Sequence, residues 1–228
     1  LYKWQVRKVA RYLGVPSEIS ERQPFPGPGL SVRVVGEIKS DKLASLKKAT
    51  TITEKKLAKH KPSQYFASIL DNTEQSDHPK LKSIQKTAAD FLSMLSTSIS
   101  VKIFKDKATG IVNGKRSYGE VAAIQVRTAR SKIHETSIDN LVSLQTRLIK
   151  ENPTLTRVFY CIQEASRRQP YVVAIRAIET SDFLTAKVAK ISWETLTETS
   201  KEILDKCKNV SSVYYDVTPK PPATVEME

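Results

Sequence analysis

Two charged residues close to the C-terminus are spaced as if to meet a ligand. The tail reads SSVYYDV and then TPKPPATVEME, so Lys220 offers a cation and Glu226, six positions on, offers an acceptor. Val213, Tyr214, Tyr215 and Val217 favour a strand that ends near Val217. Beyond it Pro219, Pro221 and Pro222 exclude helix and sheet ladder and favour polyproline II, an extended arm that is cheap to order. Such an arm separates the two charges by up to roughly 20 Å, so they form no salt bridge unless the chain bends. A frayed, solvated terminus is the other reading of a proline-rich end.

Other chemistry-bearing residues are sparse. Cys161 and Cys207 are too isolated for a disulfide framework or a zinc site, belong to no CxxC, and are expected as buried, reduced thiols. No metal ligand set and no catalytic set is assigned. Of the 228 residues 39% are hydrophobic and 27% charged, enough for one substantial core or two small ones. The net charge of +13 is uneven, with 27 Lys and Arg against 13 Asp and Glu in residues 1–150, and 10 against 11 thereafter. That field attracts nucleic acid or phosphorylated metabolites. No apolar run reaches the length of about 18 residues that a membrane helix needs, and LYKWQVRKV lacks a signal-peptide core. A cytoplasmic location is expected. The chain opens in helix pattern without an initiator Met, and is read as a C-terminal fragment of a longer protein.

The elements that would position the tail follow from the patterning. A helix over 5–13 closes at Gly14, and Ser17 caps a short turn to Arg22. RQPFPGPGL, with three prolines and two glycines in 24–29, forms a rigid connector between two folded units. SVRVVGE, 31–37, is expected as a strand with Arg33 on the face away from the valines. One or two solvated helices, interrupted by TTIT, are expected from Asp41 to His60, with the lysines on a wet face. A polar loop or insertion covers 71–80; a helix carries Leu81, Ile84, Ala88, Phe91 and Leu95 on one stripe; strands follow at 99–105 and 117–126.

A repeat organises the rest. SYGEVAAIQV, IDNLVSLQTRLIKE and LTRVFYCI match PYVVAIRAI, ETLTETSKEILDKC and VSSVYYDV, giving two strand-helix-strand units at about 117–162 and 170–217. Tyr118 and Tyr160 are paired with Tyr171 and Tyr215, read as packing rather than base-stacking residues, and Trp193 is expected against the second helix. Each helix has one apolar face and must lie on a sheet. The fold class is therefore α+β, small sheets with helices on one face.

RQPFPGPGLSVRVVGE at one end and YYDVTPKPPATVEME at the other resemble the C-terminal part of glutamine-hydrolysing GMP synthetases, the second segment being similar to that family's terminal KPPATIEWE with Met227 in place of Trp. GKRSYG and AIRAIETSDFLTA also resemble family segments, and the doubled unit is similar to the longer, eukaryotic-type domain. The resemblance implies that 1–29 are the end of an ATP-pyrophosphatase domain with its connector, and 30–228 a domain that binds xanthosine monophosphate (XMP) and forms a homodimer. It implies an enzyme that uses ATP with Mg to adenylate XMP, then ammonia from a glutaminase domain to form GMP. Lys220 and Glu226 stand at the family's nucleotide-contacting positions: the ammonium suits a phosphate, and the carboxylate suits ribose hydroxyls or base N–H groups. Arg22, Pro26, Gly27, Gly29 and Arg116 are further candidate nucleotide contacts, and Arg176 and Asp182 could reach a nucleotide, a partner molecule or one another.

The chain also departs from the family. VNGKRSY lacks the Asp that usually precedes Arg-Ser/Thr-Tyr, no SGGVDS-type pyrophosphate loop is present, and His60, His78 and His134 lie in unrelated segments that build no triad with a cysteine. The chain alone is expected to catalyse nothing. A basic α+β module for nucleic acid and an inactive dimerisation scaffold remain the alternatives; no RNP-like aromatic pair supports the first.

Overall fold

Two strand-helix-strand units set back to back frame the protein. In a computed structural model, residues 3–20, 26–112, 114–182 and 184–228 are described. Three helices precede the sheet: α1 (Lys3–Tyr12), α2 (Ser17–Ser20) and α3 (Ser40–Leu57). There follow β1 (Gln64–Asp71), α4 (Leu81–Leu92), β2 (Ile99–Val112), β3 (Lys115–Val126), α5 (Ile138–Glu151), β4 (Leu155–Glu164), β5 (Tyr171–Glu179), β6 (Lys187–Val188), α6 (Trp193–Lys206) and β7 (Val210–Asp216). All the strands join one sheet in the order β1-β5-β7-β4-β3-β2, with β6 beside the end of β5. The pairs β3/β4 and β5/β7 are parallel, as a helical crossover requires, while β4 and β7 meet antiparallel at the centre.

The two units match closely. Helices α5 and α6 each have 14 residues and begin after a serine, Ser137 or Ser192, whose hydroxyl accepts from the amide three residues on. Strand pairing fixes the equivalence: Ile124 lies opposite Tyr160 as Ile175 lies opposite Tyr215, and those tyrosines face each other across the centre. Both units thus sit in one sheet. The phase differs by two residues in the first strand from the sequence match, because Tyr171 takes the place of Glu120. Tyr118 is instead 59% exposed, whereas Tyr160, Tyr171 and Tyr215 are buried.

Strands β4, β5 and β7 are buried on both faces. The main core lies on the helix side, where Leu46, Leu57, Leu141, Leu148, Leu196 and Ile203 meet Ile69, Ile124, Val158, Tyr160, Ile175 and Tyr215. The other face holds a smaller core of Val35, Leu70, Phe104, Val121, Phe159, Cys161, Val172, Tyr214 and Met227. Among the described residues no helix contributes to this second core, and Met227 of the tail packs into it. Strand β2 shifts register between Ile103 and Lys107, and its bent part meets the chain beyond β1. Glu74 pairs with Phe104, and Gln75 and Lys105 donate amides to Ile103 and Thr73 at 2.8 and 3.0 Å. The edge strands therefore meet at one end, and the C-terminal tail closes the other.

Several local expectations change. Residues 29–33 form a 3-10 turn, not the start of a strand; only Val34 and Val35 are extended, with Val35 N–H donating to Ile69 at 2.9 Å. The local cause is the turn at Gly29, whose φ is +77°. Helix α3 runs unbroken through TTIT because Thr50, Ile52 and Thr53 are buried and Thr51 Oγ1 bonds the Lys47 carbonyl at 3.0 Å. Packing outweighs the weak helix propensity of threonine. The lysines of α3 do not all face water: Lys42 is buried and donates to Val35 O at 2.6 Å, with Asp71 Oδ1 at 2.7 Å. Strand β1, missing from the sequence pattern, takes Asp71 from the expected loop, and β2 extends seven residues past Lys105. The short helical turn ends at Ser20, and Arg22 lies outside the described residues. No helix among the described residues is long and apolar enough to cross a membrane.

Candidate functional site

The tail is held by three buried charges. Asp216, the last residue of β7, accepts from Arg157 Nη1 of β4 at 2.7 Å and from Arg176 Nη1 of β5 at 2.8 Å, and all three side chains are excluded from solvent. Arg157 Nε is buried without a partner, but other donors of both guanidinium groups grip the tail. Arg176 donates to the carbonyls of Val225 and Thr224, each at 2.8 Å, and of Thr218 at 3.0 Å. Arg157 donates to Thr224 O at 3.1 Å and Oγ1 at 2.9 Å. Burial pulls the Arg157 pKa down to about 10, against the attraction of Asp216, so it stays charged at neutral pH. Such charges are tolerable inside only as a hydrogen-bonded set, and the planar guanidinium supplies the needed fork of donors.

Gripped in this way, the tail is neither straight nor frayed. Lys220 exchanges backbone hydrogen bonds with Ala186 at 2.8 and 2.9 Å, and the Lys220–Pro221 and Pro221–Pro222 peptides are cis. The chain then crosses β2, where Ile111 and Thr109 donate amides to Pro222 and Met227 at 2.6 and 2.8 Å. Gly110 lies under this crossing. A β-carbon there would stand 2.6 Å from Thr156 Cγ2 and 2.9 Å from Pro222 O, so no other residue fits without displacing the tail. Met227, buried in the second core, anchors the end.

Lys220 lines an open groove of about 640 Å³ with Ser63, Thr180, Ser181, Thr185 and Lys187. Burial and then the nearby Arg176 push its pKa down, while Asp182 pulls it up. Asp182 caps its own loop by accepting from the amides of Leu184 and Thr185 at 2.9 and 3.1 Å. Arg176 and Asp182 therefore do different work and form no pair.

Glu226 has partners of its own. Its Oε2 accepts from Arg33 Nε at 3.1 Å, and its Oε1 accepts from Gln64 Nε2 at 3.1 Å and more weakly from Arg33 Nη2 at 3.4 Å. Arg33 is 1% exposed and stacks on Phe66 with 4.0 Å from guanidinium carbon to ring centroid. Glu54 of α3 also faces Arg33; burial pushes its carboxyl up and the guanidinium draws it down. Ser63, which lines the Lys220 groove, and Gln64, which holds Glu226, are neighbours in sequence at the start of β1, so their side chains take opposite faces of the sheet.

Other candidates are dispersed. Pro26, Gly27 and Gly29 form a turn in the connector, closed by Gly29 N–H to Pro26 O at 2.9 Å, and open space surrounds both glycines. Arg116 is exposed near the β2–β3 turn. Tyr118 donates to Glu228 Oε2 at 3.0 Å, so the four repeat tyrosines present no stacking platform. Trp193 spans the two units: its ring meets Tyr160 edge-on at 6.0 Å, and Nε1 donates to Thr136 O at 2.7 Å. Cys161 and Cys207 are buried and unpaired with each other, and burial pushes the Cys161 thiol up to about 12. Among the described residues no group of three or more His, Cys, Asp or Glu is placed to hold a metal ion. Arg33, Gln64, Arg157 and Asp216 join this site without a motif to announce them. A charge inside an apolar strand, as in LTRVFYCI and VYYDV, is the one signal the sequence offers.

The family described as GMP synthase C terminal domain matches residues 160–227, from β4 into the tail. The whole chain is 40% identical to a glutamine-hydrolyzing GMP synthase subunit of Sulfurisphaera tokodaii and spans 55% of it. It is 40% identical to the protein so named in Saccharolobus solfataricus, spanning 54%, and 31% identical to that of Archaeoglobus fulgidus, spanning 47%. The chain thus covers about half the length of these relatives.

Proposed function

In its C-terminal part the chain belongs to the GMP synthase family, and on that premise we propose that it supplies the XMP-binding part of the ATP-dependent amination of XMP to GMP. The observation that carries this reading is the fixed tail, which sets Lys220 on an open groove and Glu226 on Arg33 and Gln64. Arg157, Asp216 and Arg176 hold the proline-rich tail that carries this cation and this carboxylate. An ammonium in a groove walled by Ser63, Ser181 and Thr185 suits a phosphate, and the carboxylate suits a hydroxyl or N–H donor. Tail residues already fixed need little further ordering when a nucleotide arrives.

The reading extends to the rest of the enzyme. Val6, Val9 and Leu13 of the α1 region and Ile19 of α2 are exposed, as an apolar face would be if residues 1–29 complete an ATP-pyrophosphatase domain. ATP with Mg would be held by that domain, since the described residues offer neither a metal ligand group nor a glycine-rich phosphate loop. Ammonia would come from a glutaminase partner, and the reaction would take place in the cytoplasm. A homodimer would use a surface other than the sheet edges, since β1 is bonded by Val35 and β2 by the tail. The nucleic-acid reading is not favoured: Tyr160, Tyr171 and Tyr215 are buried, and Tyr118 is tied to Glu228.

Isothermal titration of the chain with XMP, GMP and AMP at two salt concentrations tests the proposal. Selective XMP binding that is lost in Lys220→Ala is expected. Weak, unselective binding that fades with salt would reduce the chain to a scaffold.

A further inference from the structure

Resting on the reading of Glu226 as a nucleotide contact, we infer that Arg33, in the turn that follows the connector, is the residue that positions Glu226, so that nucleotide binding and the order of residues 32–34 are coupled. A carboxylate has about four acceptor sites. The bonds from Arg33 and Gln64 occupy two on Oε1 and one on Oε2, and the side chain is 18% exposed. One site on Oε2 remains for a ligand. The nucleotide therefore gives Glu226 a single hydrogen bond, whose direction is fixed by how the guanidinium holds the carboxylate.

Arg33 is itself locked. Its plane lies on Phe66 and its side chain is buried, so it cannot swing with the carboxylate as an exposed lysine would. The backbone adds a second tie between the same segments. The Val32 carbonyl accepts from Met227 N–H at 3.2 Å and Glu228 N–H at 3.1 Å, one residue from Arg33 and immediately after Glu226. The turn that follows the connector and the tail thus form one bonded unit. A ligand that fixes Glu226 also fixes residues 32–34.

A double-mutant cycle on XMP affinity tests this, using Arg33→Met, Glu226→Gln, the pair together and Arg33→Lys, with folding of each checked by thermal melting. Either single loss should weaken XMP at least about tenfold, and the pair should be no worse than either alone, because Arg33 acts only through Glu226. Arg33→Lys keeps the charge but loses the fork, and should recover part of the affinity; it also carries the test if Arg33→Met does not fold. Amide exchange at Val32–Val34 should slow on adding XMP in the native chain and not in Glu226→Gln. Independent, multiplying losses or unchanged exchange would overturn the inference. An unaffected Glu226→Gln variant would instead remove the reading of Glu226 on which it rests.

Discussion

Arg176 and Asp216 in the second unit occupy the places that Gln125 and Cys161 occupy in the first. The equivalence follows from strand pairing, since each pair lies one residue beyond Ile175 with Tyr215, or Ile124 with Tyr160. In the first unit Gln125 Nε2 lies 3.6 Å from the Cys161 sulfur and donates to Glu164 at 3.0 Å, and the thiol is an inert piece of core. At the end of the second, the buried Asp216 carboxylate binds Arg176 of its own unit and Arg157 of the first, and both guanidinium groups hold the tail. Two units of the same shape thus differ at the residue pair that follows the matched isoleucines and tyrosines, and the charged pair is the one that leads into the tail with Lys220 and Glu226. The repeat supplies the frame, and residues of both units, Arg157 from the first and Arg176 with Asp216 from the second, hold the tail.

The largest expected effect breaks that charged pair. Asp216→Ala leaves Arg157 and Arg176 buried without their partner and should cost about 3–5 kcal/mol in urea unfolding. Cys161→Ala at the equivalent place should cost about 1 kcal/mol. Equal costs would contradict the distinction. Gly110→Val, which forces side-chain atoms against Thr156 and Pro222, should cost about 1–3 kcal/mol and speed amide exchange at Thr109 and Ile111, where the tail is bonded.

Alkaline pH sharpens the contrast from the first unit's side. Burial raises the Cys161 thiol to about 12, so the unfolded chain loses this proton from about pH 9 while the folded one keeps it. The unfolded state then binds fewer protons, and stability falls as pH rises through that window. The contribution is at most about 1.4 kcal/mol per pH unit. Cys161→Ala should remove this part of the slope, measurable by unfolding between pH 8 and about 11.

The smallest effect tests what the units share. Ser137→Ala and Ser192→Ala should each cost about 1 kcal/mol, and by similar amounts, because each hydroxyl caps a helix of the same length. A large inequality in thermal melts would mean that the two helices are not equivalent in energy as they are in form.

The repeat was legible because it rests on local rules: two amphipathic helices of equal length, each followed by an apolar strand. Its phase was not, because Tyr118 and Tyr171 look alike in sequence while strand register is a long-range property. Lys220 and Glu226 could be picked out as charges on a proline-stiffened tail. What holds them could not: Arg157 and Arg176 lie on strands whose alternation gives a face but not the segment that covers it. The expected strand at 31–37 failed for a related reason, since a valine-rich stretch after a Pro-Gly turn pairs only where a neighbour is free, here at Val35 and Ile69. Lys42 was misplaced because a lysine on a helix is usually wet, and only the fold brings Asp71 and the Val35 carbonyl to it.

Amide shift mapping of the chain during titration with XMP tests the central claim most directly. Shifts should concentrate at Ser63, Gln64, Ala186, Lys187, Lys220 and Glu226, with little change at the opposite end of the sheet, in the groove lined by Arg127, Lys132 and Lys201. Shifts centred on that opposite groove, or spread evenly over the basic surface, would contradict the account.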